Sequence, residues 1–160
     1  MPPIAQANDE RFFKEAPESM NGFAVVADQG YATHCGECHF AYLPGFLPVR
    51  SWTLIFSRLD KHFGDKVVLA DDVRARLERY ASENAADRSD YEGSKRLLAN
   101  LSDQSTPSRV TTLPLFGTKH AIAKKFAVAG TRKGLTNCLE CHTKAAQGSF
   151  GLSELSIPGR

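Results

Sequence analysis

The sequence predicts a mostly α-helical protein with long irregular connections, arranged as two small lobes. Apolar side chains recur at helical spacing, proline and glycine interrupt the chain repeatedly, and no two segments form a convincing strand pair. A chain of 160 residues is one ordinary domain or two very small ones. Its 42% hydrophobic and 24% charged residues exclude disorder as the main state, and its net charge of +2 is too small to indicate a nucleic-acid-binding protein. No apolar run approaches the roughly 20 residues that a transmembrane helix needs.

The polar segment at residues 84–95 predicts the division between the lobes. We therefore expect a first lobe at 20–88 and a second at 89–160. Residues 1–19 combine three prolines with several acidic side chains, so we expect them to form a loosely held N-terminal arm.

In the first lobe, residues 31–43 should enter a short helix, and residues 52–63 carry apolar side chains at helical spacing. Ser51 is the expected N-cap of this second helix, and Gly64 is expected to end it. The next helix should start at the adjacent acidic residues 71–72, which suit the positive end of a helix, and should bury a stripe made by Val73, Leu77 and Tyr80.

In the second lobe, short helices are predicted at 97–101, 116–128 and 135–146, with a turn at 130–134. The only candidate strands of the chain are 67–69 and 110–113. So much irregular chain in a small protein indicates that something other than side chains helps to fill the core.

All four cysteines lie in two Cys-x-x-Cys-His motifs, Cys35-Gly-Glu-Cys38-His39 and Cys138-Leu-Glu-Cys141-His142. This pattern is the attachment signature of c-type haem. Two thiols one helical turn apart add across the two haem vinyl groups, and the adjacent histidine supplies an axial nitrogen to the iron. The sequence therefore predicts two covalently bound c-type haems, one in each lobe.

Other uses of paired cysteines explain the motifs less well. A disulfide or a thioredoxin-like redox pair does not require a following histidine. A single zinc shared by both pairs needs about 15–20 residues between them, whereas 99 residues separate Cys38 from Cys138.

The second axial ligand of each iron is expected to be histidine. The only methionines, Met1 and Met20, lie upstream of the first motif, which disfavours methionine ligation. His62 follows His39 by 23 residues, and His120 precedes His142 by 22. We therefore predict that iron is bound by His39, His62, His120 and His142. His34, directly before the first motif, is interpreted as a surface residue, although it could also reach a neighbouring haem.

Two further residues are candidates for haem contacts. Arg50 could pair with a haem propionate, since a guanidinium binds a carboxylate through two hydrogen bonds, or it could simply be solvated ahead of a helix. Trp52 could line the first haem pocket, pack in the core, or do both.

The chain start has neither a basic region nor an apolar stretch and so is not a signal peptide as it stands. Because c-type haem is attached outside the cytoplasm, we expect a periplasmic protein from which a signal peptide has been removed.

At this point the sequence resembles the dihaem cytochrome c family, often called DHC, over roughly residues 30–145. The matching elements are Cys35-Gly-Glu-Cys-His39, Tyr42-Leu-Pro-Gly-Phe-Leu-Pro-Val-Arg-Ser-Trp52, His62-Phe-Gly64, and His120 ahead of Cys138-Leu-Glu-Cys-His142. The resemblance implies a periplasmic electron carrier with two bis-histidine haems, whose distal ligands fall on His62 and His120. It also implies redox protein partners, namely a small oxygen-binding high-spin cytochrome c as acceptor and a membrane cytochrome b as a possible donor.

The favoured function is thus one-electron transfer, without enzymatic activity, because an iron with two protein ligands has no position for a substrate. The alternative is a dihaem enzyme or gas sensor, such as a peroxidase or reductase, in which one iron stays open. That alternative requires either His62 or His120 not to bind.

Overall fold

The computed structural model describes residues 21–121 and 134–157. The predicted arm at 1–19, residues 122–128 of the predicted helix at 116–128, and residues 130–133 of the predicted turn at 130–134 lie outside these residues. No helix in the described ranges is both long enough and apolar enough to cross a membrane.

In the described residues, five short α-helices form the framework, joined by 3₁₀ turns and irregular chain. They are α1 (Gln29–Gly36), α2 (Val49–Phe56), α3 (Asp71–Glu83), α4 (Glu92–Leu98) and α5 (Pro114–Lys119). Within the described ranges no residue belongs to a β-strand, and the only bridges are isolated ones joining His62 to Asp65 and His142 to Leu155. The fold is therefore mostly helical with irregular connections, as the sequence predicts, and neither candidate strand forms.

Two helix starts follow from local sequence chemistry. The carboxylate of Asp28 caps α1 by accepting a hydrogen bond of 2.7 Å from the backbone N–H of Tyr31. Helix α3 begins with Asp71 and Asp72, as predicted, and buries Leu77 together with Ala81.

The predicted helix at 52–63 is wrong at both ends. Helix α2 starts at Val49, because Pro48 at the N-cap position stops it from extending further back. Ser51 is therefore a buried residue inside the helix and not its N-cap. The helix ends at Phe56, and the chain continues through a 3₁₀ turn at Leu59–Lys61 instead of running on to Gly64.

Several elements of the second half also differ from expectation. Helix α4 starts at Glu92 and ends at Leu98, so it begins inside the segment predicted as a polar boundary. Small residues explain this, because Gly93 and Ser94 are buried and let the helix approach its neighbours closely. The predicted helix at 135–146 is replaced by three 3₁₀ turns, Gly134–Thr136, Cys138–Glu140 and Ala145–Gln147.

A single apolar core runs through both halves of the chain. It includes Tyr31, Trp52 and Leu77 from the first half, and Leu97 and Phe116 from the second. Helix α2 packs on α3, and α4 packs on α5 and on the 3₁₀ turn Pro44–Phe46. The division at residues 88/89 stays a prediction, but the described core crosses it.

Three segments cross where glycine allows close backbone approach. The N–H of Phe23 donates to the carbonyl of Gly148, and the N–H of Gly93 donates to the carbonyl of Gly22, both at 2.9 Å. A side chain at Gly93 would collide with the Gly22 carbonyl and the Phe23 ring. The Phe23 ring also packs edge-on against Phe46 and Phe150, with 4.8 and 5.3 Å between ring centroids. We call this crossing of residues 21–23, 93 and 148 the glycine junction.

Candidate haem-binding sites

The histidine of the first motif faces His62. The ring centroids of His39 and His62 are 6.1 Å apart, and their planes diverge by 15°. His39 lies just after α1, and His62 directly follows the 3₁₀ turn Leu59–Lys61. A metal held between two imidazole nitrogens by bonds of about 2 Å separates the ring centroids by about 6 Å. The early end of α2 thus brings His62 to the separation that a shared iron requires.

The histidine of the second motif faces His120 in the same way. Their ring centroids are 6.0 Å apart, with planes at 69°. His120 directly follows α5 and stacks on the Phe116 ring, with 3.8 Å between centroids. Both expected histidine pairs are therefore brought together, although they differ in the angle between their rings.

Hydrogen bonds orient two of these imidazoles. The Nδ1 atom of His39 is 2.7 Å from the Phe40 carbonyl, and that of His120 is 2.9 Å from the Phe116 carbonyl. A carbonyl only accepts, so each Nδ1 carries the proton and each Nε2 is left with the lone pair that binds a metal.

The other two imidazoles are held in the neutral form, which is the form that binds a metal. Burial lowers the pKa of His62, and the neighbouring His39 adds to this effect. Burial likewise lowers the pKa of His142, with a further contribution from His120. The buried Nδ1 of His142 has no hydrogen-bond partner among the described residues.

None of the four cysteines of the motifs is joined to another in a disulfide, so each motif keeps two thiols for haem attachment. Burial raises the pKa of the Cys35 and Cys138 thiols to about 11, so before attachment both carry their protons at neutral pH. Cys35 lies in the last turn of α1, but the helix ends at Gly36, before Cys38. In the second motif the N–H groups of Cys141 and His142 both donate to the carbonyl of Cys138, which folds the motif into one turn.

The expectation that a helical turn holds each cysteine pair is met in both motifs. In the first, Gly36 ends α1 and Glu37 keeps helical φ and ψ of −65° and −38°, and the second folds with 3₁₀ geometry. The donor sets fit one c-type haem each, with two thiols, an adjacent histidine and a second imidazole at the required separation. In the described part of the chain, no three His, Cys, Asp or Glu side chains converge as a separate metal-binding group.

Comparison of the sequence with known proteins supports the same assignment of two c-type haem sites. The family model for dihaem cytochrome c matches residues 31–150. The chain belongs to the dihaem cytochrome c family. This membership confirms the resemblance and implies two c-type haems, for which the four cysteines provide covalent attachment, and a role in electron transfer.

Solved dihaem cytochromes c share the fold. A diheme cytochrome c from Rhodobacter sphaeroides is 37% identical over 79% of this chain and 98% of its own, with a TM-score of 0.66. A structure of DHC purified from Rhodobacter sphaeroides is 34% identical over 79% of this chain and 100% of its own, with a TM-score of 0.58. The diheme cytochrome sb-DHC from Shewanella baltica OS155 is 27% identical over 84% of this chain and 96% of its own, with a TM-score of 0.66. No functionally curated protein matches the sequence significantly.

The structure gives both additional candidate residues protein partners. The guanidinium of Arg50 donates to the backbone carbonyls of Ser105, at 2.6 Å, and Ser102, at 3.3 Å. Trp52 is 5% exposed and donates from Nε1 to the carbonyl of Pro44 at 2.8 Å. The hydrogen bonds of Arg50 therefore stabilise the segment at 102–105. The hydrogen bond of Trp52 stabilises the 3₁₀ turn Pro44–Phe46 from within the core. Their haem contacts stay predictions. His34 is exposed in the last turn of α1, consistent with a surface residue.

Sequence reasoning missed a group of cations beside His62. A cavity of about 270 Å³ is lined by this histidine and by three cationic side chains, Arg58, Lys61 and Arg109, and by no carboxylate. Arg109 reaches the cavity from the second half of the chain and lies 4.2 Å over the Phe63 ring. No spacing rule connects two such distant segments, so the sequence held no signal for this contact.

Proposed function

We propose that the protein is a periplasmic one-electron carrier in which two histidines bind each iron. The pairs are His39 with His62, and His142 with His120. The observation that carries this proposal is the separation of the paired rings, 6.1 and 6.0 Å between centroids. Two independent pairs with the same separation are difficult to attribute to ordinary packing.

This ligation limits the chemistry to electron exchange. When bound, each haem supplies a one-electron couple between ferric and ferrous iron. The four imidazoles would hold the two irons, two nitrogens to each, and would leave no position on the metal for substrate or gas. Two histidines also favour the ferric state relative to a histidine–methionine pair, so both potentials should be low on the haem scale.

We propose the partners and the compartment on the same basis. The family resemblance supports a small oxygen-binding high-spin cytochrome c as electron acceptor and a membrane cytochrome b as possible donor. The chemistry of haem attachment supports a periplasmic location. Cell fractionation of the natural host should recover the dihaem protein in the periplasmic fraction, and recovery in the cytoplasm would contradict this part of the proposal.

Carbon monoxide tests the ligation, because it binds ferrous haem only at an open axial position. The reduced wild-type protein should not bind carbon monoxide at neutral pH. His62→Ala and His120→Ala should each open one haem, giving one equivalent of bound gas. The matched control His34→Ala should open neither.

Rapid binding of carbon monoxide to one haem of the wild-type protein would favour the alternative function, a dihaem enzyme or gas sensor. Binding to both would reject histidine as the second ligand of either iron.

A further inference from the structure

We propose that Tyr42 is a positioning residue shared by the two haem sites, holding His39 with its ring and the chain ahead of the second motif with its hydroxyl. The inference rests on the proposed ligation of the first iron by His39. It assigns to one side chain a role in both sites that neither motif predicts.

At the first site, Tyr42 contacts the ring of the motif histidine. Its ring centroid is 5.3 Å from that of His39, and the planes are tilted by 50°. The neighbouring Phe40 ring packs edge-on against Tyr42 at 5.7 Å, and its backbone carbonyl accepts the hydrogen bond from His39 Nδ1. The orientation of His39 is thus set by a hydrogen bond on one atom and by the tilted Tyr42 ring beside it.

At the second site, the hydroxyl of Tyr42 donates to the backbone carbonyl of Thr136 at 2.6 Å. Thr136 ends the 3₁₀ turn Gly134–Thr136, two residues ahead of Cys138. Burial raises the pKa of the Tyr42 hydroxyl to about 12, so the hydroxyl keeps the proton that it donates to this carbonyl. Tyr42 therefore joins segments 94 positions apart in the chain.

Tyr42 is itself held firmly. The hydroxyl of Tyr31, which is 1% exposed, donates to the backbone carbonyl of Tyr42 at 2.8 Å. The Tyr42 ring also packs on Phe46. Phe46 in turn packs on Phe150, whose ring centroid lies 4.9 Å from that of His142. A continuous aromatic row thus runs from His39 through Tyr42, Phe46 and Phe150 to His142. A displacement at Tyr42 is transmitted to both sites because closely packed side chains have no free volume to absorb it.

Removing the two parts of the side chain separately tests the assignment. Tyr42→Phe removes only the hydroxyl, so the electron paramagnetic resonance signal and the potential of the second haem should shift, while those of the first stay near wild type. Tyr42→Leu also removes the ring, so both haems should shift. The signals are assigned with His62→Ala and His120→Ala, each of which removes one low-spin signal.

Tyr80→Phe is the matched control. The Tyr80 hydroxyl also bonds to the backbone, accepting from the N–H of Ala27 at 2.9 Å, but this contact stays within the first half. Tyr80→Phe should leave both haem signals unchanged.

Two results would overturn the inference. In one, Tyr42→Phe leaves the second haem unchanged. In the other, Tyr42→Leu leaves the first haem unchanged. These outcomes differ from failure of the proposed ligation, which would appear in the wild-type protein as carbon monoxide binding. Pyridine haemochrome analysis, with two haems per chain expected in every Tyr42 variant, shows whether a shift reflects repositioning or loss of haem.

Discussion

Single residues set the charge around the first haem, and Arg109 is the informative case. Together with Arg58 and Lys61 it lines a cavity beside His62 that has no carboxylate. A nearby cation disfavours the ferric state, which carries one more positive charge than the ferrous state. Arg109→Gln should therefore lower the reduction potential of the first haem. The free energy of reduction should change by less than about 1 kcal/mol, because solvent screens exposed charges. The second haem should not respond.

Potentiometric titration of the purified dihaem protein measures this change. The control is Arg79→Gln, which removes an exposed arginine of α3 that does not line the cavity. An equal shift in both variants would indicate a general effect of net charge and would reject a specific role for Arg109.

The chemistry of haem attachment and ligation explains which residues of the sites can be predicted from the sequence. The cysteines and their adjacent histidines follow from the spacing that two vinyl groups require, and His62 and His120 follow from the absence of a suitably placed methionine. Arg109 and Tyr42 could not be found in this way. Their contacts, to Phe63 and to Thr136, join segments that only the folded chain brings together.

The secondary-structure elements are short, and their ends depend on particular caps. Helix α1 carries Cys35, and its N-cap Asp28 also forms an ion pair of 2.6 Å with Arg76 of α3. Burial acts to raise the pKa of Asp28, but the hydrogen bonds from the Tyr31 N–H and from Arg76 outweigh it and lower the pKa below the ordinary 3.8. The ionised carboxylate therefore stabilises both the start of α1 and its contact with α3.

Asp28→Ala should lower the free energy of unfolding by about 1 kcal/mol at neutral pH, the usual contribution of an N-cap. A lowered carboxyl pKa gives stability that is complete above the ordinary value and is lost as the pH falls through the lowered one. The difference in free energy of unfolding between the wild type and Asp28→Ala should therefore decrease at acid pH. Denaturant titrations at several pH values measure it.

Asp103→Ala, which removes an exposed carboxylate from the turn after α4, is the control for Asp28→Ala and should change stability little at any pH. If Asp28→Ala is equally destabilising above and below the carboxyl pKa, the charge on Asp28 contributes nothing.

Helix positions were predicted better than helix ends. The periodic apolar residues of α2 and the acidic start of α3 are local signals, and both helices form. The end of α2 is not local. The chain turns after Phe56, the backbone N–H of Val67 returns to the carbonyl of Leu59 at 2.8 Å, and Phe63 adopts a left-handed φ of 53°. Arg109, from the second half of the chain, lies 4.2 Å over the Phe63 ring in this turn, so a tertiary contact accompanies the loss of the helical pattern that continues to residue 63.

In the molecule as a whole, the glycine junction connects the two halves. Gly93 and Gly117 both lie inside helices, α4 and α5, and they form a matched pair for testing the junction. A Cβ at Gly93 would meet the Gly22 carbonyl and the Phe23 ring, whereas a Cβ at Gly117 would meet nothing within 4 Å. Gly93→Ala should destabilise by about 1–3 kcal/mol through overpacking. Gly117→Ala, whose added Cβ meets no protein atom, should destabilise less than Gly93→Ala.

Thermal and denaturant unfolding of the dihaem protein measures both glycine variants. An equal change in the free energy of unfolding at the two positions would show that helix propensity alone determines it. The glycine junction would then contribute nothing to stability.

The route of residues 21–23 limits how the protein can be shortened or joined to other molecules. A chain starting after Phe23 would lose two backbone hydrogen bonds and the ring that packs edge-on against Phe46 and Phe150. Residue 21 is therefore the latest practical start for a minimal redox module. A fluorescent label, an electrode linker or a fused enzyme is best attached ahead of it.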